Sequence, residues 1–544
     1  MTGARITAEG WGWRHAGRPT AAVAGLDLTV PAGQKVLLAG PSGAGKSTVL
    51  YALAGVLDPA DESEETGRLL VDGVPTRELR GHAGLVQQDP ETQVILSRVG
   101  DDAAFGAENL QVPREETWDR VRDALDAVGL GEGEGIALWR DTSRLSGGQK
   151  QRLALAGILA MRPPVILLDE PTANLDPAGV IEVRDAVLAV AERTGATLVV
   201  VEHRLSVWAD HVDRLLVLEP GGGISHDGTP EELLAPGEVR DGLAAAGVWV
   251  PGRVPPSTPR NWRSNPAHSG DESAGDRAAS DLQFRQEGTT AAGSDARSAR
   301  RLLSARGLSV SREPLRTGWR RRFSPAPAPV QQGLDLTLEA GEAVVVTGAN
   351  GSGKSTLLLT LAGLIPSHAG SLTAGTRLRG EHGVRLPEDP YRWKAADLVS
   401  RIGTVFQEPE HQFVATTVRD ELLFGPRHAR DPQTGRRLFT DDQAAERAES
   451  LLGALRLTAL AEVNPFTLSG GEKRRLSVAT VLAAGPEVVF LDEPTFGQDA
   501  TTWAVLVGLL RGIVAEGRSV VAVTHDRDFA AALQARTVRL EAAA

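Results

Sequence analysis

The stretch Gly40-Pro41-Ser42-Gly43-Ala44-Gly45-Lys46-Ser47-Thr48 decides the fold, because it recurs as Gly348-Ala349-Asn350-Gly351-Ser352-Gly353-Lys354-Ser355-Thr356. Glycines at this spacing let backbone N–H groups curl around a phosphate, and the helix that follows presents its positive end to the same anion. Lys46 and Lys354 can then reach the outer phosphates, and the hydroxyls of Ser47 and Ser355 suit Mg²⁺. Two further motifs follow each loop in the same order. Leu145-Ser146-Gly147-Gly148-Gln149 recurs as Leu468-Ser469-Gly470-Gly471-Glu472, and Leu167-Leu168-Asp169-Glu170-Pro171-Thr172 as Phe490-Leu491-Asp492-Glu493-Pro494-Thr495. The two lysines lie 308 residues apart, whereas Ser146 and Ser469, like Glu170 and Glu493, lie 323 apart. The second copy therefore carries 15 extra residues between its phosphate loop and its serine-glycine motif, the mark of loop insertion in a duplicated domain.

A chain of 544 residues exceeds one hydrophobic core, and the repeat sets the expectation at two domains. Its 41% hydrophobic and 24% charged composition is that of a globular protein. The net charge of −12 argues against a general affinity for nucleic acid. The absence of cysteine excludes disulfides, thiolate-held iron–sulfur clusters and cysteine zinc sites, and fits a reducing compartment. No apolar run is long enough to cross a membrane, and Met1-Thr2-Gly3-Ala4-Arg5-Ile6 lacks the apolar segment of a signal peptide. The expected location is the cytoplasm, with any membrane task performed through a partner.

Apolar, β-rich runs precede the chemical motifs: residues 35–39, 165–168 and 197–201, then 343–346, 488–491 and 519–523. Alternating with helical stretches, they read as buried parallel strands of an α/β sheet. The residues between phosphate loop and serine-glycine motif leave room for a mostly helical insert in each copy. The expected domains span 5–235 and 301–544, with a flexible Ser/Gly/Pro-rich linker over 236–300. A coil of about 50 residues spans roughly 40 Å, enough for the domains to meet face to face. A basic stretch around Arg320 reads as a solvated loop, with contact to lipid headgroups or a partner as the other reading.

Asp169 and Asp492 stand where a strand ends and suit Mg²⁺, while Glu170 and Glu493, one residue on, can polarise an attacking water. A further aspartate, Asp176 or Asp499, follows in each copy. The serine and glycines of Leu-Ser-Gly-Gly-Gln/Glu open a helix and make a second anion site. Together these motifs resemble a pair of ATP-binding cassette (ABC) domains, over about 460 residues. The resemblance implies two P-loop NTPase domains, each with a RecA-like parallel-sheet core, a helical subdomain and an N-terminal antiparallel β region. It also implies ATP and Mg²⁺ as cofactors. In that family two cassettes sandwich two ATPs head to tail, so the domains would pair within one chain. One site would join Lys46, Ser47, Gln88, Asp169, Glu170 and His203 to Ser469, Gly471 and Asp499. The other would join Lys354, Ser355, Gln407, Asp492, Glu493 and His525 to Ser146, Gly148 and Asp176. Gln88 and Gln407 would assist Mg²⁺ and catalysis, and His203 and His525 would face the γ-phosphate. Trp13 is placed like the family's base-stacking aromatic, with Trp11 as rival; Ser309-Val310-Ser311-Arg312 offers no aromatic. Both sites read as complete, with Glu472 in place of the commoner glutamine.

After each loop glutamine come Asp89-Pro90-Glu91-Thr92-Gln93 and Glu408-Pro409-Glu410-His411-Gln412, then acid pairs leading to Phe105-Gly106 and Phe424-Gly425. This pattern resembles the ATPases of energy-coupling factor (ECF) importers, and fusion of two in one chain resembles the thiamine or hydroxymethylpyrimidine type. The implied partners are a transmembrane coupling component and a small substrate-binding membrane protein, at the cytoplasmic face of the membrane. Asp89, Glu91, Glu408 and Glu410 are candidates to meet the partner's arginines. The rival readings are another class of ABC importer or exporter, and a soluble non-transport tandem protein acting on ribosomes or DNA. Against the last two stand the Ser/Gly/Pro-rich linker and the lack of zinc cysteines.

Overall fold

The computed structural model describes residues 3–41, 43–57, 63–79, 81–87, 92–131, 133, 136–172, 175, 177–258, 300–312, 328–349, 351–380, 386–431, 434–495 and 497–541. The chain divides into two compact units, residues 1–255 with 497–501, and residues 256–496 with 502–544.

The first unit opens with β1 (Ile6–Arg14) and β2 (Val23–Val30), which join β4 (Glu64–Val71) and β5 (Val74–Pro75) in an antiparallel sheet ordered β2-β1-β4-β5. The second sheet contains β3 (Lys35–Ala39), β6 (Ala83–Val86), β7 (Val165–Asp169), β8 (Thr197–Val201), β9 (Arg214–Leu218) and β10 (Ile224–Gly228). Its order is β10-β9-β3-β8-β7-β6, parallel except for the β9–β10 edge. Every residue of β7 and β8 is buried, as continuous apolar runs in a doubly covered parallel sheet demand.

Helix α1 (Lys46–Leu53) follows β3. Beyond it, α2 (Val99–Asn109), α3 (Arg114–Ala127) and α4 (Gly147–Met161) make the helical subdomain between the phosphate loop and β7. Its core includes Ala103, Val121, Leu125, Leu153 and Ala156. Gly106 sits where α2 meets the end of α4: a Cβ there would lie 2.5 Å from Met161 Sδ, so a larger residue would require the Met161 side chain to move. After α5 (Pro177–Thr194) and the last strands come α6 (Pro230–Leu234) and α7 (Glu238–Ala245). Here the structure differs from the expected linker over 236–300. Leu243, Val248 and Val250 join the first unit's core, so burial carries the fold past residue 235. The reading of the remaining linker, like that of the basic stretch around Arg320, lies largely outside the described residues.

The second unit repeats the plan. β11 (Arg301–Val310), β12 (Gln331–Glu339) and β14 (Ala369–Ala374) form an antiparallel sheet ordered β12-β11-β14. β13 (Ala343–Gly348), β15 (Ile402–Val405), β16 (Val488–Asp492), β17 (Ser519–Val523) and β18 (Arg536–Leu540) form an all-parallel sheet ordered β15-β16-β17-β13-β18. Helix α8 (Lys354–Leu361) follows β13, and α9 (Val418–His428), α10 (Asp441–Ala454) and α11 (Gly470–Ala484) make the helical part.

Candidate nucleotide and catalytic site

Each phosphate loop is closed by a glycine in the left-handed region, Gly45 at φ +88° and Gly353 at φ +85°. A Cβ on Gly45 would lie 2.5 Å from the Ala22 carbonyl oxygen, so no other residue fits. The lysine that follows turns back over the loop. Lys46 Nζ donates to Gly40 O at 2.9 Å and Pro41 O at 3.0 Å; Lys354 Nζ donates to Gly348 O at 2.8 Å and Ala349 O at 3.0 Å. Both lysines are buried. Burial lowers the pKa of Lys46, opposed by the charges of Glu170 and Asp169. Gly43, Ala44, Thr48, Gly351, Ser352 and Thr356 complete the two loops. Ser42 and Asn350 lie outside the described residues.

Asp169 ends β7 and Asp492 ends β16, each beneath its loop. The Ser47 hydroxyl bonds to Asp169, and Ser355 to Asp492. Burial pushes Asp169 up to about 6 and raises Asp492 as well. A hydroxyl and a carboxylate held together form the all-oxygen donor pair that Mg²⁺ takes, and the cation would bring both acids back to the charged form.

The next residues are strained. Glu170 has φ +49° and Glu493 φ +47°, a conformation that costs a non-glycine residue about 1–3 kcal/mol. Their backbone N–H groups are anchored on the neighbouring strand, Glu170 N to Val201 O and Glu493 N to Val523 O, both at 2.9 Å. Each carboxylate is thereby aimed toward the histidine at the end of that strand. His203 Nε2 stands 2.8 Å from Glu170 Oε1, whereas His525 Nε2 stands 4.0 Å from Glu493 Oε1, beyond hydrogen-bond reach. Burial works against charging His203, but Glu170 outweighs it and the pKa is raised. Burial pushes Glu493 up to about 7, with Asp492 adding to the rise and the Thr524 hydroxyl opposing it.

Several groups around these acids are not singled out by the motifs. Thr172 Oγ1 donates to Glu202 Oε2 at 2.6 Å, and Glu202 Oε1 accepts from His203 N at 3.0 Å. In the second unit the acid stands on the other side of the histidine: Thr495 Oγ1 donates to Asp526 Oδ2 at 3.0 Å. Burial pushes Glu202 up to about 7. Acid-histidine and histidine-acid dipeptides at a strand end were the signal available in the sequence.

Ser146 and Ser469 are exposed N-caps of α4 and α11. Gln149 N donates to Ser146 Oγ at 3.3 Å and Ser146 N to Gln149 Oε1 at 3.0 Å; Glu472 and Ser469 exchange the same two bonds at 3.4 and 2.8 Å. The fifth motif residue thus needs only a side-chain oxygen, which is why Glu472 replaces glutamine without loss of the cap. Gly147, Gly148, Gly470 and Gly471 begin these two helices. Gln407 is exposed, and Asp499 is half-buried at the start of the last long helix. Gln88 and Asp176 lie outside the described residues.

Trp13 does not stand free to stack on a base. It is 4% exposed within the core of the antiparallel sheet, and Trp11 is fully buried beside it. Irregular register between Ala8 and Trp13 turns both indoles inward. The exposed ring next to the loop is His15, whose Nε2 lies 3.1 Å from Thr48 Oγ1 and whose Nδ1 accepts from Trp13 Nε1 at 3.3 Å. Two of the acids offered to a partner are already paired: Glu410 with Lys473, and Glu408 with His411 at 3.1 Å. Asp89 and Glu91 lie outside the described residues.

The ABC transporter family model matches residues 23–173 and 331–496. A Bacillus subtilis protein with the provisional name HMP/thiamine import ATP-binding protein is 33% identical over 514 residues, covering 93% of this chain and 84% of its own. A Streptomyces coelicolor protein, provisionally named an ABC transporter ATP-binding protein, is 35% identical over 547 residues, covering 95% and 89%. Among solved structures, the archaeal ribosome recycling factor aABCE1, in complex with the stalk protein aP1, covers 97% of this chain and 87% of its own. At a TM-score of 0.55 and 19% identity it shows shared fold alone. The repeated loop, acid and signature geometry and these matches agree: the chain belongs to the ABC transporter family and is a tandem ATP-binding protein with the family's ATPase activity.

Proposed function

We propose that the chain is the energy-coupling ATPase of an ECF-type importer for a vitamin or related micronutrient, held at the cytoplasmic face of the membrane by a transmembrane partner. The observation that carries this reading is a duplicated exposed apolar surface just beyond each glutamine loop. Ile95 and Phe105 are 62% and 37% exposed in the first unit, and Val414 and Phe424 are 66% and 49% exposed at the matching places in the second. Each pair is built the same way. Asp102 Oδ1 accepts from Ile95 N at 2.8 Å and Leu96 N at 2.7 Å, which fastens the loop to the helix bearing Phe105. Glu421 Oε2 accepts from Val414 N and Ala415 N at 2.8 and 2.7 Å, beside Phe424. The second acid of each pair before Phe-Gly is therefore an internal fastener, and the aromatic is the group left for a partner.

No helix among the described residues is long and apolar enough to cross a membrane, so the membrane-embedded work falls to other chains. The Bacillus relative, provisionally named for HMP/thiamine import, supports a micronutrient cargo. Within each unit Lys46 or Lys354 holds the outer phosphates, Ser47 with Asp169 or Ser355 with Asp492 carries Mg²⁺, and Glu170 or Glu493 polarises the attacking water. Gln407, and Gln88 in the first unit, assist the metal, and His203 and His525 face the γ-phosphate. ATP pairs the domains head to tail, with Ser146 and Ser469 each serving the other domain's nucleotide. Hydrolysis releases them, and the partner's helices follow.

Mild-detergent affinity purification from native membranes, read by mass spectrometry, tests this. A polytopic membrane protein and a small hydrophobic one are expected, both lost with Phe105→Asp and Phe424→Asp while ATP binding persists. Ribosomal or DNA-processing proteins without a membrane protein would overturn it.

A further inference from the structure

We propose that Arg474 is a positioning residue: its guanidinium locks the second unit's glutamine loop to the end of β16, a lock for which the first unit has no equivalent among its described residues. Arg474 sits on α11, two residues beyond the signature, and is only 5% exposed. Nη1 donates to Phe406 O at 2.8 Å and to Asp492 O at 3.3 Å, and Nη2 donates to Gln407 O at 2.6 Å. One planar group thus ties three parts together: the signature helix, the loop bearing Gln407 and the strand that delivers Asp492 and Glu493. A rigid fork on three carbonyls in a dry setting fixes distances that a flexible ammonium would leave loose. Its charge also lies close enough to Asp492 and Glu493 for both to favour it, against the burial that lowers its pKa to about 10.

The residue at the same offset in the first unit is Gln151, 1% exposed on α4. Neither its amide nitrogen nor its oxygen has a hydrogen-bond partner. A buried amide left unpaired is an exception that asks for a reason, and here the reason is positional. It occupies the place of the fork and bonds to no carbonyl among the described residues. The two domains therefore share their chemistry but differ in how that chemistry is connected to the loop nearest the proposed partner surface. Arg474 directs these hydrogen bonds to backbone carbonyls of the loop and strand, so its loss should slow turnover more than it weakens nucleotide binding.

The proposal rests on Glu170 and Glu493 driving turnover in their own units. The test is steady-state ATP turnover of the full chain in a Glu170→Gln background, where the second unit's acid acts alone. Arg474→Gln, which copies the first unit, should lower kcat about tenfold or more with KM for ATP within about twofold. Arg474→Lys, which keeps the charge and loses the fork, should fall between. Unchanged kcat in Arg474→Gln, or a rise in KM matching the fall in kcat/KM, would overturn the proposal. If Arg474→Gln does not fold, Arg474→Lys decides, with a kcat loss supporting the lock and parental kcat refuting it. Turnover that survives in Glu170→Gln with Glu493→Gln would break the glutamate assignment instead. Arg474→Gln in the otherwise unaltered chain would then still show the kcat loss or refute the lock.

Discussion

Placed side by side, the two units agree in backbone and differ in the buried polar groups around it. Gly45 and Gly353 share φ within a few degrees, as do Glu170 and Glu493, and both lysines hold the same pair of loop carbonyls. The supporting shell has diverged. Glu170 meets His203 at 2.8 Å while Glu493 stands 4.0 Å from His525. The threonine two residues after the strained glutamate is held by Glu202 in one unit and by Asp526 in the other. Arg474 clamps three carbonyls where Gln151 clamps none. A loop that must wrap a phosphate tolerates few backbones, whereas a hydroxyl can be satisfied by any well-placed acid. Duplication therefore preserves conformation more strictly than it preserves neighbours.

The largest effect is expected where the units are most alike. Lys46→Ala and Lys354→Ala should each remove one of two bound ATPs per chain in equilibrium dialysis, with affinity at the altered loop falling about 100-fold. Retention of both would break the equivalence of the loops. The glycines sharpen it. Gly45→Ala should destabilise the chain by about 1–3 kcal/mol in thermal unfolding, because its Cβ would strike a backbone carbonyl. Gly353→Ala should cost less, since its Cβ meets the movable Val330 side chain at 2.8 Å.

The strained glutamates supply a pH test. Glu493 is pushed up to about 7, and the proposed base role needs it ionised, so turnover by Glu170→Gln should fall about tenfold per pH unit below that value. A flat profile from pH 8 to 6 would show that bound Mg²⁺ and ATP erase the effect of burial. The smallest effect concerns Glu410 and Lys473. Their ion pair is half-exposed, so Glu410→Ala should change stability by less than about 1 kcal/mol. A larger loss would mean that the loop depends on this pair.

Much of this was legible in the sequence. Continuous apolar runs place β3, β8 and β17 at the residues where they occur, because a strand buried on both faces has no polar side to confuse the pattern. The motifs place the lysines, acids and histidines at fixed steps from the loop and the strand ends. Four features were hidden. Helix α7 lies in a polar segment whose anchors, Leu243 and Val250, are too sparse to form a periodic signal. Trp13 was misplaced because a register irregularity after Ala8 shifts the alternation of the strand and turns it inward. The part played by the second acid of each pair before Phe-Gly was not visible either, since Asp102 and Glu421 bind the backbone of their own loops. Arg474 acts on carbonyls, which a sequence does not display.

The central claim is that one chain carries two working ATPase centres built on the same backbone. Steady-state ATP hydrolysis by Glu170→Gln, Glu493→Gln and the double variant tests it most directly. The account predicts measurable turnover in each single variant, unequal between them, and a loss of about 100-fold or more in the double variant with ATP still bound. Turnover by the double variant near that of the unaltered chain would contradict it.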